Sequence, residues 1–303
     1  MSIHKRRIVT VIFVLLFFIL APLIVFYAKG DIWSNGFNFL KTGGIFVRAT
    51  ESGSEIYING KLEDTTNFFS RDYFIKNLRP VTYEIVVKKT GYNDWKNNLR
   101  VYSNRVTETR AFALPAKIEA VDIPEFNKTE VSAGTTTKTI LKLNPDYDQA
   151  KKMFLDSYWA DQILTVKSTT TGKISKYLPG TKENPIESRH MLAWAEGKDV
   201  FVSWTGNPDS IPKYFCEDGG FEIKCQNTLK VYSFESNVRS LDYFLGDTEI
   251  ILVAAGDRVE AIEAETNPDK RPQVVYEGDK PDFRLSGSSI IIKVGKLYKE
   301  INI

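Results

Sequence analysis

A β-hairpin is predicted by the stretch Glu55-Ile56-Tyr57-Ile58-Asn59-Gly60-Lys61-Leu62. Its central dipeptide, Asn59-Gly60, suits the two positive φ angles of a type I′ turn, the tight connection that best matches the twist of two paired strands. Strand-like runs surround it, among them residues 44–49 and 83–87, and residues that favour turns separate these runs. About six or seven short strands therefore fit between residues 43 and 115.

This segment, residues 43–115, resembles the PEGA domain, a small β-sandwich module that recurs on bacterial and archaeal surface proteins. The resemblance rests on an ordered series of motifs: Tyr57-Ile58-Asn59-Gly60, Leu78-Arg79-Pro80, Tyr83 with Val86, and Gly91-Tyr92 with Trp95. Two turns depart from the family pattern, because Asp64-Thr65-Thr66-Asn67 lacks the usual Gly and Pro and Val81 replaces the Gly after Pro80. The resemblance implies a non-enzymatic module on an exported protein, engaged with cell-envelope material.

A transmembrane helix is predicted over residues 8–27. This run contains no charged residue, and sixteen of its twenty residues are Ile, Leu, Val or Phe. At about 1.5 Å of rise per residue, twenty residues span roughly 30 Å, the thickness of the hydrocarbon core of a bilayer. Pro22 lies near the end of the run, and membrane helices tolerate such an irregularity. The lipid bilayer is therefore the first expected partner.

The charges beside this run predict its orientation. Residues 4–7 read His-Lys-Arg-Arg, whereas Lys29 and Asp31 nearly cancel on the other side. The positive-inside rule then gives a cytoplasmic tail, residues 1–7, and an ectodomain outside the plasma membrane. A cleaved signal peptide is the competing interpretation, but the run exceeds the usual length of about 7 to 15 residues and no small-residue cleavage site follows it. A buried core helix would need a polar face, which the run lacks.

Composition sets broad limits on the rest of the chain. With 303 residues, 43% of them hydrophobic, the chain is long enough for two folded domains. The 40 basic and 38 acidic residues leave a net charge of only +2, so no overall electrostatic field favours nucleic acid as a partner. The short runs rich in Val, Ile, Thr and aromatic residues predict a mostly β protein.

An extended linker is predicted over residues 116–144, and an all-β domain over residues 145–303. One helix is expected at residues 147–158, where apolar residues recur at helical intervals. Many short strands with intervening turns are typical of a β-propeller or of an irregular all-β assembly. This region also resembles the propeller-like part found beside PEGA domains in some small-genome bacteria, on residues 211–216 and 281–284. A sandwich stays open, because about 160 residues would make only a minimal propeller.

The two cysteines, Cys216 and Cys225, are separated by eight residues that include Asp218-Gly219-Gly220. That spacing predicts a hairpin with one thiol on each arm, and an exported domain would allow a disulfide to form and persist. Two buried free thiols, a metal site and a redox pair remain as alternatives. A metal site would need further ligands in a chain with two histidines, and a redox pair more often has a Cys-x-x-Cys spacing.

No catalytic, cofactor-binding or metal-binding motif is recognisable in the sequence. His190 is the one histidine outside the N-terminal tail, and its strand-like context favours a partly buried structural role over catalysis. Trp159, Trp194 and Trp204 would suit a carbohydrate platform if exposed, but core packing is the more common use of Trp. We therefore expect a non-catalytic, membrane-anchored surface protein that binds or scaffolds envelope polysaccharide or other surface proteins. An exported glycan-acting enzyme with paired carboxylates and a subunit of a membrane assembly are the alternatives.

Overall fold

The fold is given by a computed structural model, which is mostly β. It describes residues 3–28, 32–34, 38–133, 136–155, 180–218, 223–247, 249–265 and 271–303. The chain divides into two compact units, Met1–Ala113 and Leu114–Ile303.

The N-terminal unit begins with helix α1, Ile3–Ala28, whose side chains are described for residues 6–22, 24 and 25. Among the residues whose side chains are described, which in α1 leave out residues 3–5, 23 and 26–28, no helical stretch is long and apolar enough to cross a membrane. The strands that follow are β1 (Ile32–Ser34), β2 (Asn38–Leu40), β3 (Gly43–Ala49), β4 (Glu55–Ile58), β5 (Lys61–Thr65), β6 (Asp72–Leu78), β7 (Thr82–Lys88), β8 (Trp95–Arg100) and β9 (Val106–Ala111). The seven strands from β3 to β9 lie in a fully described stretch and agree with the predicted number.

Two sheets enclose the core of the N-terminal unit. One has the strand order β6-β3-β9, with β3 and β9 parallel, and the other is antiparallel with the order β5-β4-β7-β8. Period-two patterning explains the packing, because the buried residues of β8 alternate with exposed ones and Trp95 and Leu99 face inward. Ile45 and Val47 of β3 join the same core from the other sheet. The unit is therefore built from two sheets that share one apolar interior.

The hairpin predicted at Asn59-Gly60 is confirmed. Ile58 pairs with Lys61, and both turn residues have positive φ, 48° for Asn59 and 80° for Gly60. The Asn59 side chain also accepts a hydrogen bond from the backbone N–H of Glu84 at 3.0 Å. The turn is thereby tied to the neighbouring strand β7 as well as to β4 and β5.

The C-terminal unit contains one described α-helix and sixteen described strands. Their bounds are β10 (Ala120–Ile123), β11 (Phe126–Ala133), β12 (Thr136–Leu143), α2 (Pro145–Met153), β13 (Ile186–Ser188), β14 (Met191–Glu196), β15 (Asp199–Trp204), β16 (Cys216–Asp218), β17 (Ile223–Cys225), β18 (Thr228–Ser233), β19 (Val238–Tyr243), β20 (Ile250–Ala255), β21 (Arg258–Glu263), β22 (Gln273–Glu277), β23 (Asp282–Ser286), β24 (Ser289–Val294) and β25 (Leu297–Asn302). Most of them form three four-stranded antiparallel sheets, with the orders β13-β14-β15-β18, β19-β20-β21-β22 and β10-β25-β24-β23.

One strand of these sheets, β20, is buried on both faces. Strand β20 is buried at all six positions, and one core cluster joins Val253 of β20 to Ala193 and Val202 of the first sheet. A strand with both faces buried reads as a continuous apolar run rather than an alternating one. The run Ile-Ile-Leu-Val-Ala-Ala at residues 250–255 is therefore a central strand.

The segment predicted as an extended linker, residues 116–144, contains three strands. β10 pairs with β25, so that Ala120 lies opposite Ile301 and Ile123 opposite Tyr298. Ile123 packs against the cluster that Tyr298 forms with α2, and this contact helps to hold β10 against β25. β11 and β12 pair with each other as a separate two-stranded hairpin.

The predicted helix at residues 147–158 is present but differently bounded. Asn144 caps α2, since its side-chain oxygen accepts a hydrogen bond from the N–H of Asp146 at 3.1 Å. Ala150 and Met153 are buried, as their helical spacing predicts, and the helix ends at Met153. Residues 156–158 of the predicted helix lie outside the described residues.

Candidate functional site

The most exposed aromatic feature of the described residues is a loop between β5 and β6. We call residues 66–71 the aromatic tip. Its two phenylalanines, Phe68 and Phe69, are 79% and 96% exposed, and their rings meet edge to face with centroids 5.6 Å apart. Adjacent residues of a strand point to opposite faces, so a strand would bury one of the two. The loop instead presents both rings to solvent.

The side chain of Asn67 fixes the conformation of the aromatic tip. Its Oδ1 accepts hydrogen bonds from the backbone N–H groups of Phe69 and Ser70, each at 2.9 Å. The N–H of Asn67 in turn donates to the carbonyl oxygen of Ser70 at 2.9 Å. Asn side chains commonly stabilise turns in this way. The two rings are therefore carried by a hydrogen-bonded turn.

Charged residues surround the base of the aromatic tip. Arg71 donates from Nη1 to the carbonyl oxygen of Thr50 at 3.0 Å. On the neighbouring strands, Arg48 pairs through Nε with Asp72 Oδ1 at 3.0 Å, and both of these side chains are well exposed. Such exposed pairs add little to stability. Arg71 is the last residue of the aromatic tip, and Asp72, the partner of Arg48, is the next residue along the chain.

A second pair of aromatic residues lies on the outer face of the β6-β3-β9 sheet. Phe46 of β3 lies opposite Phe74 of β6, and the guanidinium of Arg48 lies 5.9 Å from the centre of the Phe46 ring. Gly44 makes room for this arrangement, because a Cβ at that position would lie 2.4 Å from the ring of Phe74. Phe74 remains 39% exposed. This face is therefore less polar than the solvent side of a sheet usually is.

A second group of polar side chains lies in the C-terminal unit, where β19 and β23 meet. Ser240 donates from Oγ to Asp282 Oδ1 at 2.5 Å, and Arg284 Nη1 lies 3.1 Å from the same oxygen. Burial raises the pKa of the Asp242 carboxyl to about 6, although the N–H of Tyr243 and the charge of Arg284 act in the opposite direction. A carboxyl with such a pKa can exchange a proton near neutral pH.

The predicted disulfide between Cys216 and Cys225 is confirmed. The two residues pair directly across β16 and β17, with their Cα atoms 3.9 Å apart, and the sulfurs are bonded at 2.05 Å. The free-thiol and metal alternatives for this pair therefore do not apply to the oxidised chain. Within the described residues, no group of three or more His, Cys, Asp and Glu side chains could hold a metal ion.

The histidine and tryptophans singled out from the sequence do not form one site. His190 is exposed rather than partly buried, in the turn between β13 and β14, with its ring 5.5 Å from that of Trp204. Trp194 is 9% exposed and donates from Nε1 to Glu196 at 3.0 Å, which agrees with core packing. Trp159 lies outside the described residues.

The residues of the aromatic tip were not among the site residues predicted from the sequence. The signal was present, because Phe68-Phe69 is flanked by Asn67 and by Ser70-Arg71, and no alternation continues through it. Two large apolar residues side by side in a polar loop cannot both enter a core from a strand. Adjacent aromatic residues between two predicted strands are thus a feature to search for in such sequences.

Comparison with known proteins gives no family. No family model matches the sequence, and no curated protein matches it. Among solved structures, a protein from Bacteroides fragilis described as membrane-associated and of unknown function is 11% identical. The match covers 86% of this chain and 93% of that chain, with a TM-score of 0.21. A similarity at that TM-score carries no argument about fold or function.

Proposed function

We propose that this is a non-catalytic, membrane-anchored surface protein whose β-rich ectodomain binds or braces components of the cell envelope. The observation that carries the proposal is the exposure of α1. Phe17, Phe18, Ile19 and Leu20 are consecutive and are 64%, 69%, 60% and 44% exposed. At about 100° per residue, four consecutive residues point in four directions around a helix axis. An apolar surface on all sides is unfavourable in water and is what a bilayer accommodates.

The charges at the two ends of α1 support an orientation with the N-terminus in the cytoplasm. Lys5, Arg6 and Arg7 lie at its first end, whereas Lys29 and Asp31 follow its last residue and cancel. Positive residues are retained on the cytoplasmic side. The disulfide between Cys216 and Cys225 agrees with this orientation, because disulfides persist mainly in oxidising compartments outside the cytoplasm.

The architecture of the ectodomain supports a binding module more than a catalytic one. We assign the N-terminal unit to a PEGA-like sandwich on the strength of the motif series around the Asn59-Gly60 hairpin. We assign the C-terminal unit to a propeller-like arrangement, because it has three four-stranded antiparallel sheets and because β10 completes the sheet formed by the last three strands. A propeller is commonly built from such four-stranded blades.

Membrane extraction tests the anchor. Phe17 and Phe18 lie at the middle of residues 8–27, where each Lys would cost about 2.5–3.5 kcal/mol of insertion free energy. We expect the parent chain to stay with membranes through alkaline carbonate treatment and flotation, and the Phe17→Lys, Phe18→Lys double variant to be lost from them. The matched control is Phe68→Lys with Phe69→Lys, which adds the same charges to the other exposed aromatic pair. Equal extraction of parent and α1 variant would refute the anchor.

A glycan-acting enzyme is a second candidate, favoured by one observation. The raised pKa of Asp242 is what a general acid requires, and glycosidases use such a carboxyl with a second carboxylate. In that case the purified chain would release sugars from cell-envelope polysaccharide, and Asp242→Asn would abolish the release. Release that Asp242→Asn leaves unchanged would remove Asp242 from the reaction.

A further inference from the structure

We propose that the aromatic tip docks into the headgroup region of the bilayer that holds α1, so that the N-terminal unit lies against the membrane surface. The inference rests on the anchoring proposed above, since α1 is what brings a bilayer within reach. It assigns a partner to Phe68 and Phe69, the most exposed large apolar pair outside α1 among the described residues.

The shape of the aromatic tip favours a bilayer interface over a small ligand as its partner. Phe68 and Phe69 project from a turn, and their exposures of 79% and 96% mean that neither ring rests on the rest of the unit. A convex pair of rings cannot enclose a ligand as a pocket does. A bilayer interface accepts apolar side chains from a projecting surface without needing a complementary groove.

Four of the six backbone N–H groups of the aromatic tip donate hydrogen bonds within the protein. Groups that leave water need internal hydrogen bonds, because lipid provides few partners. The N–H groups of Asn67, Phe69 and Ser70 all donate within the turn. The carbonyl oxygen of Arg71 accepts from the N–H of Ala49 at 2.9 Å. A loop that recognised an extended peptide would instead offer such groups to the partner.

Two arginine side chains beside the aromatic tip are suited to bind the phosphate groups of lipids. Arg71 is exposed and is bonded to a neutral acceptor, the carbonyl oxygen of Thr50. Arg48 is also exposed, although its ion pair with Asp72 neutralises part of its charge. Guanidinium groups bind phosphate well, and basic residues near a membrane surface are attracted to anionic lipids. The rings and the two arginines would therefore reach adjacent layers of the same interface.

The connection to α1 is long enough for this arrangement. Fourteen residues, 29–42, separate α1 from β3. With Ile32 paired opposite Leu40, the extended remainder spans at most roughly 30 Å. The tip lies beyond the far end of β3, whose seven residues cover about 20 Å. The tip can therefore return to the bilayer from which the chain emerges.

The test places a polarity-sensitive fluorophore on the full chain in vesicles of phosphatidylethanolamine and phosphatidylglycerol. The native cysteines are disulfide-bonded, so a Phe69→Cys variant can be labelled selectively. Lys61→Cys is the matched control, since the Lys61 side chain is 79% exposed and lies at the opposite end of β5. We expect blue-shifted emission at position 69 and severalfold stronger quenching by brominated lipids than at position 61. Adding Phe68→Ser to the position-69 chain should reduce both effects.

Two results would overturn the inference. One is water-like emission at both positions while the labelled chain still floats with the vesicles, which leaves the anchor intact. The other is a photo-crosslinker at position 69 that captures a protein rather than lipid in cells, which would assign the tip to a protein groove. Failure of the chain to float would count against the anchor instead.

Discussion

Two pairs of phenylalanine residues, one pair in each unit, lie in opposite environments. In the C-terminal unit Phe215 and Phe283 are each 1% exposed, whereas Phe68 and Phe69 in the N-terminal unit are almost fully in water. Phe283 lies in a strand between Asp282 and Arg284, so alternation turns it inward. The aromatic tip has no such alternation. An aromatic side chain held out of a core by a hydrogen-bonded turn is better explained by contact with a partner than by folding.

The largest expected effect is the loss of a buried ring. Phe283→Ala should lower the free energy of unfolding by about 3–5 kcal/mol, because it removes buried apolar area and leaves a cavity. Denaturant unfolding of the purified chain measures this loss. A change below about 1 kcal/mol, the range of surface substitutions, would mean that Phe283 is not part of the core.

The next effect concerns the buried carboxyl of Asp242. Its pKa is about 6 when folded against a reference of 3.8, so folding favours the protonated form. The stability that this group contributes is then fully present below pH 3.8 and is lost as pH rises through about 6. The loss amounts to roughly 3 kcal/mol. Asp242→Asn should flatten the stability curve over this range, whereas parallel curves for parent and variant would contradict the assignment.

Removal of the disulfide should have a comparable or slightly smaller effect. The bridge between Cys216 and Cys225 closes a loop of about ten residues, which in the chain-entropy model contributes roughly 2.5 kcal/mol. The Cys216→Ser, Cys225→Ser double variant should unfold at correspondingly lower denaturant concentration. Reduction of the parent chain should reproduce the shift, and an unchanged midpoint would show that the bridge constrains little.

The smallest effect on stability is expected at the aromatic tip. Phe68→Ser with Phe69→Ser should change the free energy of unfolding by no more than about 0.5 kcal/mol, because neither ring is buried. The same pair should nevertheless abolish the contact of the tip with lipid. A loss of several kcal/mol would break the comparison, since it would make these rings part of a core.

Local patterns predicted much of this fold. The Asn59-Gly60 turn, the spacing of Cys216 and Cys225, and the buried Ala150 and Met153 of α2 all follow from neighbours in the sequence. The pairing of β10 with β25 could not be predicted in this way, because the partners lie almost 180 residues apart, as Ala120 and Ile301 show. The burial of Asp242 depends on the same long-range packing. The adjacent pair Phe68-Phe69 is visible in the sequence, but the hydrogen bonds of Asn67 that hold the turn are seen only in the structure.

Protease protection on intact cells tests the central claim most directly, with a tag at the N-terminus and thiol labelling before and after reduction. The account predicts that external protease digests both β units, that the tag survives, and that thiols appear only on reduction. Digestion of the tag, or protection of the β units, would contradict the anchored outward-facing ectodomain.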